Sequence, residues 1–359
     1  MAARSCDACV ARTWLLERLA GHIDRVRGRV EQVLELGDDE LIAAIGGREQ
    51  DRVHRELEAL DVEQVRAPIH AAGLETICAC DPGYPLALRA LAAPPALLHV
   101  AGGLERLLEL TAEDPVALVG SRHPSPYGMD VASALGRGLG SAGVTVISGM
   151  ALGIDSAAHA GALEAGAPTV AVLPGSAHRP YPPARRGLYR RILATGIAVS
   201  ELGPGTSVRR WMFLARNRII AGLAAMTVVV EATEHSGALV TARIAGELDR
   251  ALGAVPGRVT TPAASGPNGL LAAGARVVRG PQDVLDELYG AGVRHAGSAR
   301  PAPEPELRPL LAAIADGHDT AAALARAGFG IEQGLAALAA LELGGHVRRG
   351  AGGRFTVAP

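Results

Sequence analysis

Nine arginines, Arg179, Arg185, Arg186, Arg190, Arg191, Arg209, Arg210, Arg216 and Arg218, share one stretch with a single acid, Glu201. The 359-residue chain has a formal net charge of −2, so this excess is local rather than a property of a basic protein. Concentrated guanidinium charge is what a polyanion needs. The stretch lies between a glycine-rich entrance (116–153) and an apolar strand (226–232), and implies a phosphate-binding or nucleic-acid-binding α/β domain.

Several turns supply anion-binding groups around that charge. The first predicted strand runs into Gly120, Ser121 and Arg122, and the next helix starts near Pro126, which suits a first helical turn. Backbone N–H groups in such a turn converge with the helix dipole on an anion, and Arg122 adds a bidentate fork. The second strand leads into Ser148, Gly149 and Gly153. The third opens into a proline-rich loop carrying Arg185 and Arg186. Arg216, Asn217 and Arg218 follow Trp211 and Phe213, rings that stack on bases or pack in the core. Ser236 and Gly237 open another helix after Glu231 and offer a second anion contact or an ordinary cap.

Catalytic readings fare worse. Asp155 and His159, four apart with Ser148 nearby, suggest a Ser/His/Asp triad, but no G-x-S-x-G elbow is present, and an Asp at a helix start reads as a cap. The pattern G-x-G-x-x-G at Gly138–Gly143 ends a helix instead of opening one, so it is no dinucleotide fingerprint. There is no lysine, which excludes a lysine-dependent P-loop and a Schiff base. Cys6-x-x-Cys9 and Cys78-x-Cys80 have thiolate-pair spacings, but 68 residues separate them and no histidine completes a tight set. Such pairs can hold a structural zinc, but the expectation here is small buried or surface thiols, with no metal, no catalytic residue and no cofactor.

Positioning these residues requires a sheet. Predicted strands 116–119, 144–147, 169–173, 197–200 and 227–231 alternate with helical segments, which implies an extended Rossmann-like, doubly wound parallel sheet. Gly143, Gly166 and Gly196 fall where left-handed helix caps are expected. Residues 1–75 read as a small helical module, 76–290 as the core, and 291–305 as a Gly/Ala/Pro-rich linker. Residues 306–359 have the order of a winged helix, with Arg348, Arg349 and Arg354 on the wing. With 48% hydrophobic residues, no membrane-length apolar run and no signal-like start, a cytoplasmic protein with no membrane partner is expected.

The ordered segments DPGYP (81–85), VALVGSR (116–122), SGMALGID (148–155), AHAGAL (158–163), RNRIIAGL (216–223), VVEA (229–232) and SGALVTA (236–242) resemble the bacterial DNA processing protein A family, known as DprA or Smf. The resemblance covers about residues 80 to 288. It implies a non-enzymatic recombination mediator that binds single-stranded DNA without sequence preference and loads the RecA recombinase, notably in natural transformation. It also implies a homodimer formed through the Rossmann-like core. Arg122 then matches a DNA-contacting arginine, Gly120, Ser121, Gly149 and Gly153 shape phosphate-binding loops, and Arg185 or Arg186 stands in for a family lysine. The chain differs at Pro174–Ser176, where Gly-x-Gly is usual, at Ala215, where proline is common, and in lacking a clear helix-hairpin-helix in residues 1–75.

Two other readings belong to different classes. One is an enzyme related to nucleoside-monophosphate phosphoribohydrolases, but their Pro-Gly-Gly-x-Gly-Thr loop is absent. The other is a sequence-specific regulator acting through residues 306–359, whose candidate recognition stretch Ile331–Leu343 is almost wholly apolar.

Overall fold

The computed structural model describes residues 5–296 and 303–357. Two compact units divide the chain, with the break after Ala296; residues 297–302 of the expected linker lie outside the described residues.

The first unit begins with six helices, α1 (Asp7–Arg18), α2 (Ala20–Arg25), α3 (Val30–Glu35), α4 (Asp38–Ile45), α5 (Gln50–Glu58) and α6 (Val62–Ala71). Nine strands follow, β1 (Glu75–Cys78), β2 (Leu97–Ala101), β3 (Val116–Val119), β4 (Val146–Ser148), β5 (Thr169–Val172), β6 (Ile197–Ser200), β7 (Met226–Val229), β8 (Ala251–Ala254) and β9 (Arg276–Val277). The helices among them are α7 (Leu86–Arg89), α8 (Leu104–Leu110), α9 (Pro126–Ser141), α10 (Ile154–Glu164), α11 (Arg186–Thr195), α12 (Arg210–Leu223), α13 (Gly237–Glu247), α14 (Ser265–Ala272) and α15 (Pro281–Tyr289).

The strands form one sheet in the order β1-β2-β6-β5-β4-β3-β7-β8-β9. It is parallel from β6 to β9 and helix-covered on both faces, the doubly wound class expected. β2 departs from that expectation by running antiparallel to β6, and β1 by running antiparallel to β2. Alternation along β3 shows how two cores are made: Ala117 and Val119 join one apolar cluster, Val116 and Leu118 the other. From β3 the chain winds through β4 and β5 to β6, then returns to place β7 on the opposite side of β3. That reversal opens a crevice at the carboxyl ends of β3 and β7, where open α/β sheets bind ligands.

Gly143 (φ +75°) and Gly166 (φ +73°) are left-handed caps. Gly196 is not: its φ is −109°, and glycine is required there because a Cβ would strike the Thr169 backbone.

The helical module shares its core with the sheet domain. Leu15, Leu19, Ile23 and Leu41 cluster with Leu202, Trp211, Met212 and Ala215. Two carboxylates reinforce the seam, Glu17 accepting from the Gly203 N–H (2.6 Å) and Asp24 from the Trp211 N–H (3.1 Å).

The fold also corrects the reading of the cysteines. The start of α1 meets the end of β1, so Cys6, Cys9, Cys78 and Cys80 converge with all four Sγ atoms within 4.8 Å of one another. Separation along the chain was no obstacle, because the intervening residues fold back as the helical module.

In the second unit, α16 (Arg308–Ala315), α17 (Ala321–Arg326) and α18 (Ile331–Leu343) precede an antiparallel hairpin of β10 (Val347–Arg349) and β11 (Phe355–Val357). Leu310, Ile314, Leu324, Leu338, Leu341, Val347 and Phe355 form its core. Arg354 pairs with Asp319 at 2.9 Å, and Arg349 lies over the Phe355 ring. Among the described residues no helix is long and apolar enough to cross a membrane.

Candidate nucleic-acid interface

A cavity of about 410 Å³ opens at the crevice between β3 and β7. Its wall is Gly120 and Arg122 after β3, Ala151 and Asp155 after β4, one face of α12, and Ser236, Gly237 and Thr241 at the start of α13. Arg210, Phe213, Leu214, Asn217 and Ile220 line it because they recur at helical spacing along α12. Ser236 caps α13 by accepting from the Ala238 N–H (3.3 Å), and the helix points its positive end into the cavity. Asn217 Nδ2 donates to the Gly237 carbonyl (3.1 Å), fastening α12 to that helix start.

Three arginines reach this space. Arg122 is exposed and stands over the Phe213 ring, 4.7 Å from its centroid. Tyr181 packs in a T-shaped pair with the same ring, centroids 5.4 Å apart, so the proline-rich loop after β5 abuts the Arg122 position. Arg210 is exposed at the first turn of α12, and among the described residues neither it nor Arg122 forms an ion pair. Arg216 is buried. It donates from Nη1 to the Val172 carbonyl (2.9 Å) and from Nε to Asn217 Oδ1 (3.2 Å), while Nη2 lies 3.7 Å from Asp155. Burial pushes the Asp155 carboxyl up and lowers Arg216, and each charge partly offsets the other's shift.

Gly149 and Gly153 are shape requirements of this arrangement. A Cβ on Gly149 would overlap the Arg216 guanidinium. Gly153 has φ +79° and lies where a Cβ would strike the Ser121 carbonyl.

Other predicted residues take internal roles. Ser121 donates its N–H to the Glu231 carbonyl (2.6 Å), and its Oγ accepts from the His123 N–H (3.1 Å). The anion at the start of α9 is the protein's own Glu231, which accepts from the Ser125 N–H (2.8 Å) and hydroxyl (2.6 Å). The Gly-Ser-Arg turn therefore contributes Arg122 to the cavity rather than an open nest of amides. Ser148 is fully buried and donates to the Leu118 carbonyl at 2.6 Å. Arg218 is no surface cation: it pairs with Glu201 at 2.6 Å, with both side chains 6% exposed, and also donates to the Ala93 and Ala215 carbonyls. Of the nine clustered arginines, Arg216 and Arg218 are thus interior. Arg179, Arg186, Arg190, Arg191, Arg209 and Arg210 are exposed and Arg185 is half-buried. Arg185 and Arg186 do not line the cavity.

The structure leaves no triad among the three residues considered. His159 is fully buried with Nδ1 on Thr169 Oγ1 (2.8 Å), and burial lowers it to about 3, which keeps the imidazole neutral. Asp155 accepts from the Ala151 N–H (3.3 Å) and faces Arg216 instead. Trp211 packs in the core, leaving Phe213 as the cavity's aromatic side chain. Arg210 and Asp155 were not among the predicted site residues. The spacing of Arg210, Phe213, Asn217 and Ile220 carried the signal for the first; nothing in the sequence showed that Asp155 would meet Arg216.

Residues 75–289 match the family described as DNA recombination-mediator protein A. The chain is 35% identical over 259 residues to the DNA processing protein DprA of Streptococcus pneumoniae, covering 72% of this chain and 89% of that protein. It is 34% identical over 232 residues to the Bacillus subtilis protein of the same name, covering 65% and 77%. A putative DprA of Mycobacterium tuberculosis is 41% identical over 194 residues, 54% of this chain and half of that protein. Among solved structures, the S. pneumoniae protein superposes with a TM-score of 0.64 at 30% identity, over 79% of this chain and 99% of the other. The Helicobacter pylori DNA processing protein A, whose structure is described in terms of its single-stranded DNA binding mode, gives 0.52 at 30% identity, over 57% and 92%. The family match spans more than half of the chain, which thus belongs to the DNA recombination-mediator protein A family.

Proposed function

We propose that the chain binds single-stranded DNA along the crevice at the carboxyl edge of its sheet. The observation that carries this reading is the meeting of Arg122, Arg210, Arg216 and the amino end of α13 in one cavity, where the first two cations have no carboxylate partner among the described residues. A phosphate of the strand sits between Arg122 and α13, while Phe213 and Tyr181 give a base an apolar surface at the rim. Arg179, Arg186, Arg190 and Arg191, on the loop after β5 and on α11, are also exposed. Such contacts read the backbone and not the bases, so affinity tracks salt and ignores sequence. On this reading the protein delivers the bound strand to a RecA-type recombinase during recombination or DNA uptake and acts as a homodimer through its core. Support for these last three statements comes from the family.

The test is fluorescence anisotropy with labelled single-stranded and duplex oligonucleotides of matched, mixed sequence, followed by RecA filament assembly on the protein-bound strand. Tighter binding of the single strand and faster filament growth are expected. Equal binding of the duplex, or filament growth unchanged by the protein, overturns the corresponding step.

A further inference from the structure

We propose that Cys6, Cys9, Cys78 and Cys80 hold one zinc ion in an all-thiolate tetrahedral site that fastens the helical module to the first strand of the sheet. These four are the whole cysteine content of the chain, and they arrive from two segments separated by 68 residues. Cys6 caps α1 and Cys9 lies in its first turn, whereas Cys78 ends β1 and Cys80 is two residues beyond.

The spacing matches an ion. Zinc binds thiolate sulfur at about 2.3 Å, so the edge of a zinc–sulfur tetrahedron is ~3.8 Å. Here Cys9 Sγ lies 3.7 Å from Cys80 Sγ, and Cys6 Sγ lies 3.9 Å from Cys78 Sγ. All Sγ atoms lie within 4.8 Å of one another, which makes a closed four-cornered group rather than two unrelated pairs. A disulfide would bring two sulfurs to about 2.05 Å, and none of the four is so bonded. A multi-iron cluster would hold its thiolates further apart than this.

The surroundings suit a tetrathiolate with two buried corners, Cys9 and Cys78, and one exposed corner, Cys80. Val10 and Leu97 pack on Cys9 and Cys78, with Val62, Val65 and Ala96 around them, which limits water. The Cys6 N–H donates to Cys78 Sγ at 3.4 Å, the kind of amide contact that orients a ligand sulfur. The positive end of α1 faces the group, and Arg66 holds the carbonyl of Ser5, next to Cys6, at 2.9 Å. Four sulfurs and no oxygen ligand select a soft metal, and a closed four-ligand set is that of a structural site.

The test uses the full chain, purified with reductant and equilibrated with zinc chloride, then freed of excess metal. Elemental analysis should find one zinc per chain, and the four thiols should resist alkylation until a chelator is added. Replacing zinc with cobalt(II) should give the visible bands of a tetrahedral tetrathiolate. Cys80→Ser, at the exposed corner, should lower zinc affinity more than tenfold, because losing a ligand exceeds the loss seen when only a supporting contact is removed. Hydrogen exchange on the metal-free protein should rise at the start of α1 and the end of β1. Folded protein that retains no zinc and alkylates freely would overturn the proposal. So would two disulfides by intact mass, or one iron in zinc's place.

Discussion

Arg216→Met separates the cavity's charge from its stability. Arg216 faces Asp155 at 3.7 Å, with side chains 9% and 6% exposed. Methionine fills the volume but leaves the carboxylate buried without its cation, a change that costs about 3–5 kcal/mol. Burial already raises the Asp155 carboxyl, and removing Arg216 raises it further. The sign follows from proton uptake. With its folded pKa above the unfolded one, the native state binds more protons, so the penalty grows as pH rises from the unfolded to the folded value and shrinks as pH falls. A single proton limits the slope to about 1.4 kcal/mol per pH unit. Urea denaturation of the full chain at pH 5.5 and 8 measures this, with Asp155→Asn and the double variant completing a thermodynamic cycle. The double variant should recover most of the loss and still bind single-stranded DNA weakly, because the cavity has lost a cation. A loss below about 1 kcal/mol that does not vary with pH, with no rescue by Asp155→Asn, would refute a buried charge pair.

Arg218→Ala should destabilise by about 3–5 kcal/mol in chemical denaturation by stranding Glu201, whereas Arg122→Ala should stay within ~1 kcal/mol while weakening DNA binding; the reverse pattern would show their roles to be exchanged. Trp211→Ala should cost about 3–5 kcal/mol and raise protease sensitivity in α1–α3, because its ring is shared by the helical module and α12; unchanged proteolysis would deny that shared core. Gly149→Ala should reduce DNA affinity with little direct loss of surface charge, because the added methyl displaces Arg216, and wild-type affinity would contradict the close packing described.

The sequence shows the sheet where strands are β-branched and continuous, as at β3 and β6, whose bounds match the expectation. β8 reads ALGA and β9 has two residues, so neither carries a strand-like pattern, and β1 and β2 were hidden beside proline-rich turns. The turns that build the cavity were visible as glycine, serine and arginine after strands. Which arginines reach solvent was not visible. Arg216 and Arg218 are two residues apart, about 200° around α12, so one meets Asp155 and the other Glu201 on opposite sides of a buried helix. Formal charge counts both as surface cations, but the fold encloses both. The cysteines show the converse, since spacing along the chain separated residues that the fold brings together.

The most direct test of a phosphate-reading crevice is the salt dependence of single-stranded DNA binding by wild type, Arg122→Ala and Arg210→Ala. If each arginine neutralises a phosphate, affinity should fall linearly on a log–log plot, and each substitution should flatten the slope by about 0.7. Slopes unchanged in both variants, or wild-type affinity indifferent to salt, would contradict the account.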